Sequence, residues 1–252
     1  MGDSVEKRII HLDETESTNA YLKKLARSGA KEGTVVFADR QTAGRGRLGR
    51  SFYSLDGGLY MSVLLRPENG CFDVLSITAA AAVAVVRAIE RLTDKKCLIK
   101  WVNDIYTDGK KVCGILAEGS VLPDGKLNFA VVGIGINICD PVGGFPDNIK
   151  DIATSLFGCE KMPDGFKKSL LNAVFDEFSL LYENLSDKVF MNFYRDRSLI
   201  LGREIFYIEN GVKKYGVAVD TDDFGRLIVK GDNGLITIGS GEVSVRPYEN
   251  GK

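Results

Sequence analysis

Residues 104–138 decide the fold, and they read DIYTDGKKVCGILAEGSVLPDGKLNFAVVGIGINI. Two turn signals, Asp108-Gly109 and Pro123-Asp124-Gly125, divide this stretch into three β-rich runs. Both signals favour tight turns that reverse the chain, so consecutive runs are expected to pair as neighbours. The runs predicted as strands are Asp104 to Thr107, Val112 to Glu118 and Leu127 to Ile138. Three strands joined in this way predict a mainly antiparallel sheet.

Working outward from this sheet, the flanking sequence predicts helices and further strands. Ser17-Thr18-Asn19 precedes an amphipathic run that ends at Gly29, which predicts a helix with a polar N-cap and a glycine stop. Helical spacing also predicts helices over Asp73 to Leu92 and over Gly165 to Asn184. Further strands are predicted at Thr34 to Ala38, Leu59 to Leu65 and Cys97 to Lys100. The expected fold class of this part of the chain is α+β.

The character of the chain changes after Leu199. Short strand patterns then follow one another closely, separated by turn signals at Asn210-Gly211, Asp223 to Gly225 and Asn233-Gly234, as in a small all-β barrel or sandwich. The predicted strands are Arg203 to Glu209, Lys213 to Asp220, Arg226 to Lys230, Leu235 to Ile238 and Glu242 to Arg246. A boundary near Ser198 predicts one large domain over residues 1–198 and a small β domain over residues 199–252.

Bulk composition argues against several classes of protein. Lys plus Arg total 33 and Asp plus Glu total 34, so the chain has no excess of basic residues of the kind that indicates nucleic-acid binding. No apolar run reaches the roughly 18–20 residues of a membrane-spanning helix, and the polar N-terminus does not read as a secretory signal. Five cysteines without a C-x-x-C pair predict reduced thiols in a cytoplasmic protein. The single histidine, His11, argues against a histidine zinc site or a Ser-His-Asp triad.

The stretch Gly44 to Arg50 is a first candidate for a functional loop. It reads GRGRLGR, in which the glycines permit a close backbone approach and the arginines repel one another unless an anion lies between them. A phosphate chain fits this pattern, and the alternative is a mobile surface loop. The stretch also matches G-x-G-x-x-G, but a strand and not a helix follows it, which argues against a dinucleotide fingerprint.

Two further stretches are candidate functional segments. Lys100 to Asp104, followed by Lys110-Lys111, places a carboxylate and two ammonium groups at what we expect to be opposite ends of one hairpin arm. The alternative is an ordinary turn and a solvated hairpin tip. Val132 to Ile138 contains alternating glycines, which mark a bulge or a ligand lying against the backbone, and the alternative is close packing of a strand or helix.

With these motifs in order, the sequence resembles the biotin–protein ligase family, in the catalytic part of the bacterial biotin operon repressor/ligase. The residues that carry the resemblance are Ser17-Thr18-Asn19, Gln41 to Arg50, Lys100 to Asp104, Lys111 with Gly114-Ile115-Leu116, and Gly133 to Asn137. The resemblance implies a class II synthetase-like ligase domain. The C-terminal segment ending at 241–246 resembles the family's small SH3-like β-barrel domain.

The resemblance also implies roles for individual residues. Residues implied to bind biotin are Ser17, Thr18, Asn19, Gln41, Arg45, Gly46, Arg47, Lys111, Gly114, Ile115 and Gly133. Residues implied to bind ATP are Arg45, Arg47, Arg50, Phe52, Asn103, Asp104, Lys111, Gly135 and Asn137. Catalytic roles fall to Lys111, Arg45 and Arg47, and Asp104 is the candidate metal ligand. Ser17 to Asn19 match the segment that contacts the ureido ring, and Lys111 matches a lysine that contacts the biotin carboxylate and the α-phosphate.

Three departures from the family pattern stand out. Val102 replaces a proline that is common in the family, and Phe52 replaces the tryptophan of the best-known member, so we expect altered nucleotide affinity without loss of activity. Only a short segment precedes Ser17, so we expect the short ligase class without a helix-turn-helix domain.

The expected activity is therefore that of an ATP-dependent biotin–protein ligase. Such an enzyme forms biotinyl-5′-AMP with Mg²⁺ and transfers biotin to a lysine of a biotin carboxyl carrier protein, of acetyl-CoA carboxylase or a related carboxylase. A homodimer formed through sheet edges is possible for the family, whereas no nucleic-acid or membrane partner is expected. The alternatives are a lipoate–protein ligase, which usually carries a different glycine-rich loop, and a non-catalytic biotin-binding regulator, which needs no phosphate clamp.

Overall fold

The computed structural model describes residues 7–67, 73–124, 126–209, 212–232, 234–239, 241 and 243–245. The first part of the chain forms a mixed sheet of seven strands with four helices, and the last part forms a separate antiparallel sheet. The predicted α+β class with a small C-terminal β unit is confirmed. No helix in the described ranges is long and apolar enough to span a membrane.

The large sheet is antiparallel except at one edge. Its strands are β1 (Arg8–Thr15), β2 (Thr34–Gln41), β3 (Gly58–Leu65), β4 (Leu98–Lys100), β5 (Asp104–Thr107), β6 (Lys110–Val121) and β7 (Leu127–Asn137). They lie in the order β1-β2-β3-β7-β6-β5-β4, and only β1 and β2 run parallel to each other. The strand β1 is not among the sequence predictions.

The three-strand meander that the sequence predicts forms β5, β6 and β7. Asp108 and Gly109 connect β5 to β6 with φ angles of 51° and 77°, as a type I′ hairpin turn requires at both central positions. Pairing of Asp104 with Gly114 and of Gly114 with Gly135 fixes the register across the three strands. The prediction is confirmed except at Gly125, which lies outside the described residues.

The helices are α1 (Thr18–Arg27), α2 (Val74–Leu92), α3 (Phe166–Glu183) and α4 (Phe190–Asp196). Ser17 caps α1 by accepting a hydrogen bond from the Ala20 amide, and Asp73 caps α2 in the same way for Leu75. α2 is buried along most of its length because its small alanine and valine side chains pack between the sheet and α3. The short helix α4 is not among the sequence predictions.

The C-terminal sheet contains β8 (Glu204–Glu209), β9 (Val212–Thr221), β10 (Leu227–Gly231), β11 (Gly234–Ile238) and β12 (Val243–Val245). These strands lie in the order β11-β10-β9-β8-β12, and all pair antiparallel. The turn residues Asn210, Gly211 and Asn233, and the predicted strand ends Glu242 and Arg246, lie outside the described residues.

The segment between the two sheets stays in contact with the first one. The amide of Ile99 donates to Arg197 O at 2.7 Å, and the amide of Leu199 donates to Ile99 O at 2.8 Å, which extends the sheet beyond β4. Several contacts join the second sheet to the first part of the chain, among them a hydrogen bond from Trp101 Nε1 to Gly225 O at 2.8 Å and one from Arg195 Nε to Thr221 O at 2.7 Å. The boundary near Ser198 stays a prediction.

Candidate active site

One cavity over the middle of the large sheet collects almost all of the predicted site residues. It is lined by Ser17, Thr18, Asn19, Gln41, Arg45, Gly46, Arg47, Arg50, Phe52, Asn103, Asp104, Lys111, Gly114, Ile115, Gly133 and Gly135. Asn137 does not line it, because this side chain is turned away and its Nδ2 donates to Thr154 O at 3.0 Å. Segments far apart in sequence therefore converge on one site.

The floor of the cavity consists of two rows of residues that cross the strands. One row runs from Tyr60 on β3 through Gly135 on β7 and Gly114 on β6 to Asp104 on β5. The second row runs through Ser62, Gly133 and Leu116. Because side chains alternate between the two faces of a strand, residues two apart share the cavity face.

The glycines of this floor make room for other side chains of the protein. A Cβ atom on Gly135 would come within 2.6 Å of Phe52 Cε1, and one on Gly114 within 2.9 Å of Phe52 Cε2. A Cβ atom on Gly133 would come within 2.3 Å of Asn19 Oδ1. Side chains therefore pack closely against these glycines, and the packed side chains themselves line the cavity.

One end of the cavity is a network of neutral hydrogen bonds. Gln41 Oε1 accepts from the Thr18 amide at 2.8 Å, and Gln41 Nε2 donates to Ser54 Oγ at 2.9 Å. Ser62, which is fully buried on β3, lies 2.8 Å from Thr18 Oγ1 and 2.6 Å from Asn19 Oδ1. The network fixes the side chains that the resemblance assigns to the ureido ring.

A carboxylate completes this end of the network. Glu118 Oε2 accepts from Asn19 Nδ2 at 2.8 Å, and Glu118 Oε1 forms an ion pair with Lys23 of α1. Burial alone would raise the pKa of Glu118, but the hydrogen bonds from Lys23 and Asn19 outweigh it and hold the pKa below its usual value. Glu118 is therefore ionised near neutral pH and acts only as an acceptor.

The other end of the cavity carries a lysine–aspartate pair. Lys111 Nζ lies 2.7 Å from Asp104 Oδ1, so the expectation that these charges lie at opposite ends of the hairpin arm was wrong. A register shift between Ile105 and Tyr106 brings Lys111 opposite Tyr106, from where its side chain reaches back to Asp104. The ammonium group of Lys110 points elsewhere and donates to Lys150 O.

Asp104 Oδ1 is buried and has an incomplete environment. The approach of Lys111 does not have the angles of a hydrogen bond, and this oxygen finds no hydrogen-bond donor among the described residues. Lys111 Nζ also lies 5.8 Å from the centre of the Phe52 ring, within the range of a cation–π contact. Asp104 Oδ1 is thus a buried carboxylate oxygen whose close partner is the Lys111 ammonium group.

The arginine-rich loop lies over the cavity and closes on itself. The Gly46 amide donates to Arg50 O at 2.7 Å, and the Phe52 amide donates to Gly44 O at 2.9 Å. The turn between them, Arg47–Gly49, places Leu48 at a φ of 55°, an uncommon backbone conformation for leucine. Leu48 is 69% exposed at the tip of the loop.

Arg47 connects this loop to the motif of Asn103 and Asp104. Its Nη1 donates to Asn103 Oδ1 at 3.2 Å. Burial lowers the pKa of the Arg47 guanidinium, and the nearby Asp104 acts in the opposite direction. Because the pKa of an arginine starts far above neutral, Arg47 remains a cation directed into the cavity.

Several residues of the site were missed by reasoning from the sequence. Glu118 had a signal that was not used, because it lies two positions from Leu116, a residue of the motifs that carry the resemblance. Ser62 had none, because no predicted site residue lies near it on β3. Gly241 and Val243 of the C-terminal unit also line the cavity. For these two residues the local sequence offered no signal, because only the packing of the two sheets brings them there.

Comparisons with known proteins agree with this geometry. Residues 12–137 match the model of the Biotin/lipoate A/B protein ligase family, and residues 200–246 match the Biotin protein ligase C terminal domain. The Bifunctional ligase/repressor BirA of Bacillus subtilis is 36% identical over 254 residues, which cover 95% of this chain and 74% of that protein. The Biotin--[acetyl-CoA-carboxylase] ligase of Paracoccus denitrificans is 29% identical, with 92% and 98% covered.

A solved structure extends the comparison to three dimensions. The biotin protein ligase from Aquifex aeolicus in complex with biotin and ATP superposes with a TM-score of 0.79 and 34% sequence identity, covering 96% of this chain and 99% of that one. Both the fold and most of the length are therefore shared with ligases of this kind. The chain belongs to the biotin/lipoate A/B protein ligase family.

Proposed function

We propose that this protein is an ATP-dependent biotin–protein ligase that attaches biotin to a lysine of a biotin carboxyl carrier protein. One observation carries the proposal: a single cavity joins a neutral hydrogen-bonding end to a cationic end on the same sheet. Biotin has the matching polarity, with a ureido ring at one end and a carboxylate at the other. The names of the relatives as acetyl-CoA-carboxylase ligases support the choice of acceptor.

The neutral end suits a ureido group, which has one carbonyl flanked by two N–H groups. Ser17 Oγ accepts from the Ala20 amide and keeps its own hydrogen, so it can donate to a carbonyl. Thr18 and Asn19 have their hydrogens engaged within the protein and offer lone pairs to N–H groups. A ring without N–H groups would leave these acceptors unsatisfied, which is costly in a buried site.

The cationic end suits the phosphates of ATP and the carboxylate of biotin. Lys111, Arg45, Arg47 and Arg50 all line the cavity, and guanidinium groups bind phosphate oxygens bidentately. We assign nucleotide binding to these cations together with Phe52, Asn103 and Asp104. Phe52 would shield the adenine, as its position beside Lys111 permits.

The chemistry then proceeds in two steps. A carboxylate oxygen of biotin attacks the α-phosphorus of ATP, the bond to the pyrophosphate breaks, and biotinyl-5′-AMP forms. The acceptor lysine amine attacks the carbonyl carbon of this mixed anhydride, loses a proton and releases AMP. Negative charge accumulates at the α-phosphate in the first step, so cations held there in advance lower its barrier. We assign this role to Lys111, Arg45 and Arg47, which all line the cavity.

Mg²⁺ fits the acidic group of this site. Asp104 Oδ1 is a buried carboxylate oxygen without a hydrogen-bond donor among the described residues, and Mg²⁺ is usually held by one or two carboxylates plus substrate phosphates. The ion would neutralise the polyphosphate of ATP. Because Lys111 lies against the same oxygen, a cation bound by Asp104 would release the lysine toward the α-phosphate.

The experiment that tests the proposal is pyrophosphate release from ATP and Mg²⁺, measured with biotin and separately with lipoate. We expect release with biotin that falls sharply in Lys111→Ala. Lys110→Ala is the matched control, because that neighbouring ammonium group points to Lys150 O and not into the cavity. Release with lipoate alone would assign the chain to lipoate ligation, and no release with either substrate would leave a non-catalytic binding protein.

A further inference from the structure

Two residues that belong to none of the family motifs support the neutral end of the cavity. Ser62 is fully buried on β3, and Glu118 lies half-buried on β6. Both contact the Asn19 side chain, from opposite ends of its amide group. The inference drawn from them rests on the proposed function, because it concerns how the cavity recognises the ring of biotin.

Glu118 fixes the orientation of the Asn19 amide. The two groups beside Asn19 Nδ2 are the Glu118 carboxylate at 2.8 Å and the Leu116 carbonyl at 3.2 Å. Both are acceptors, so the amide nitrogen must face them and the amide oxygen must face the other way. Both amide hydrogens are then used inside the protein, and Asn19 has no N–H left for a ligand.

Ser62 completes the arrangement on the oxygen side. A serine hydroxyl has one hydrogen, and the neighbour that can only accept it is Asn19 Oδ1, at 2.6 Å. Thr18 Oγ1 has two acceptors inside the protein for its own hydrogen, Ser62 Oγ at 2.8 Å and Gln41 Oε1 at 3.1 Å. In both cases the hydrogen is used within the network, and Thr18 presents only lone pairs to the cavity.

We propose that Ser62 and Glu118 are positioning residues that set the Thr18–Asn19 end of the cavity to accept N–H groups, and so select a ureido ring over a dithiolane. A dithiolane ring has two sulfur atoms and no hydrogen to donate. The protein would thus distinguish biotin from lipoate through Ser62 and Glu118, which lie behind the residues that would contact the ligand. Gly133 contributes only space, because Asn19 Oδ1 occupies the position that a side chain at Gly133 would take.

The test compares Ser62→Ala and Glu118→Met with the wild type, because methionine keeps the length of Glu118 but removes the carboxylate that accepts from Asn19 Nδ2. The dissociation constants are measured for biotin, for biotin methylated at its ring nitrogens, and for ATP, with pyrophosphate release giving KM and kcat. In the wild type, methylation should weaken binding at least tenfold. In Ser62→Ala we expect the dissociation constant and KM for biotin to rise about tenfold, while kcat and the ATP constant stay within about twofold. The penalty for methylation should be smaller in both variants than in the wild type, because only its steric part remains.

Ser76→Ala is the matched control, because Ser76 is equally buried but lies on α2, where it contacts Asp73 and Lys188. It should leave the biotin constant unchanged. If Ser62→Ala does not fold, as judged by thermal unfolding, Glu118→Met carries the test with the same measurements. An unchanged methylation penalty, or an equal loss of biotin and ATP affinity, would overturn the proposal. A wild type that binds no biotin would instead overturn the proposed function.

Discussion

The ring of Phe52 lies directly on Gly135, so that a Cβ atom on the glycine would come within 2.6 Å of Phe52 Cε1. Gly114, the partner of Gly135 on the neighbouring strand, lies beneath the other side of the ring. The pair of glycines forms a shallow depression in an otherwise side-chain-covered sheet. The aromatic group proposed to shield the nucleotide is therefore seated on the floor of the cavity.

Gly135→Ala should force this ring out of its seat. Adding a methyl group to a filled site costs about 1–3 kcal/mol of unfolding free energy. In the Phe52→Ala protein, adding Gly135→Ala should cost much less unfolding free energy than it does in the wild type, because the ring that would collide with the new methyl group is absent. Urea unfolding of the four proteins measures the coupling. Gly231→Ala is the control, since a Cβ atom there meets no atom closer than 3.8 Å. If the unfolding free energies lost in Gly135→Ala and in Phe52→Ala simply add up in the double variant, the proposed contact is contradicted.

Trp101→Phe should weaken the attachment of the C-terminal sheet. The variant keeps an aromatic ring but removes the indole donor to Gly225 O, and an unsatisfied buried carbonyl costs about 1–3 kcal/mol. Because Gly241 and Val243 line the cavity, we also expect a higher KM for ATP.

Thr34→Val is the comparison for this experiment. It removes a similar single bond of a buried side chain, from Thr34 Oγ1 to Lys31 O at 2.6 Å, at the start of β2 and away from the cavity. That variant should lower the unfolding free energy without raising the KM for ATP. Equal effects of the two variants on KM would show that the C-terminal sheet does not act through Trp101.

The parts of the fold that were predictable are those with local signals. The turn Asp108-Gly109 and the polar cap at Ser17 fix their elements through residues a few positions away, and both predictions are confirmed. β1 was missed because it pairs with β2 in parallel and α1 connects the two strands, so the sequence contains no hairpin turn that would indicate the pairing. α4 was missed because it is short and no side chain caps its first turn.

The site shows the same division between local and long-range information. The motif residues were recognisable one by one, but their contacts depend on the register of distant strands. The pairing of Lys111 with Asp104 needs a register shift within β5 that no residue type announces. Whether Gly133 and Gly135 face a ligand or a side chain likewise depends on Asn19 and Phe52, which lie about one hundred residues earlier.

The cysteines should differ widely in reactivity. Burial raises the pKa of Cys97 to about 12, and it raises the pKa of Cys113 as well, while Cys159 is exposed. At pH 8 roughly one Cys97 thiol in ten thousand would be the reactive thiolate, since a raised pKa favours the neutral form. Iodoacetamide should label Cys159 in the native protein and leave Cys97 and Cys113 unlabelled, as read by mass spectrometry. Labelling in urea is the control, and rapid native labelling of Cys97 would contradict its burial.

The arginine loop should become resistant to trypsin when substrates bind. Arg45 and Arg50 are exposed at their present positions, and closing over an adenylate would exclude water from a reactive anhydride. We expect cleavage at these arginines in the free protein and protection with biotin plus ATP, measured by peptide mapping. Lys161, exposed in a separate loop, should be cut at the same rate in both conditions. Equal cleavage of the arginine loop with and without substrates would argue against closure.

Asp104→Asn should raise the Mg²⁺ concentration needed for activity. The substitution keeps the size of the side chain but removes the charge of the oxygen that lies 2.7 Å from Lys111 Nζ and has no hydrogen-bond donor among the described residues. If that oxygen holds the ion, the half-saturating Mg²⁺ concentration for pyrophosphate release should rise about tenfold, as the loss of one charged ligand implies. Asp108→Asn is the matched control, because Asp108 lies at the hairpin turn and pairs with Lys95. A lower kcat with unchanged Mg²⁺ dependence would instead assign Asp104 to the placement of Lys111 alone.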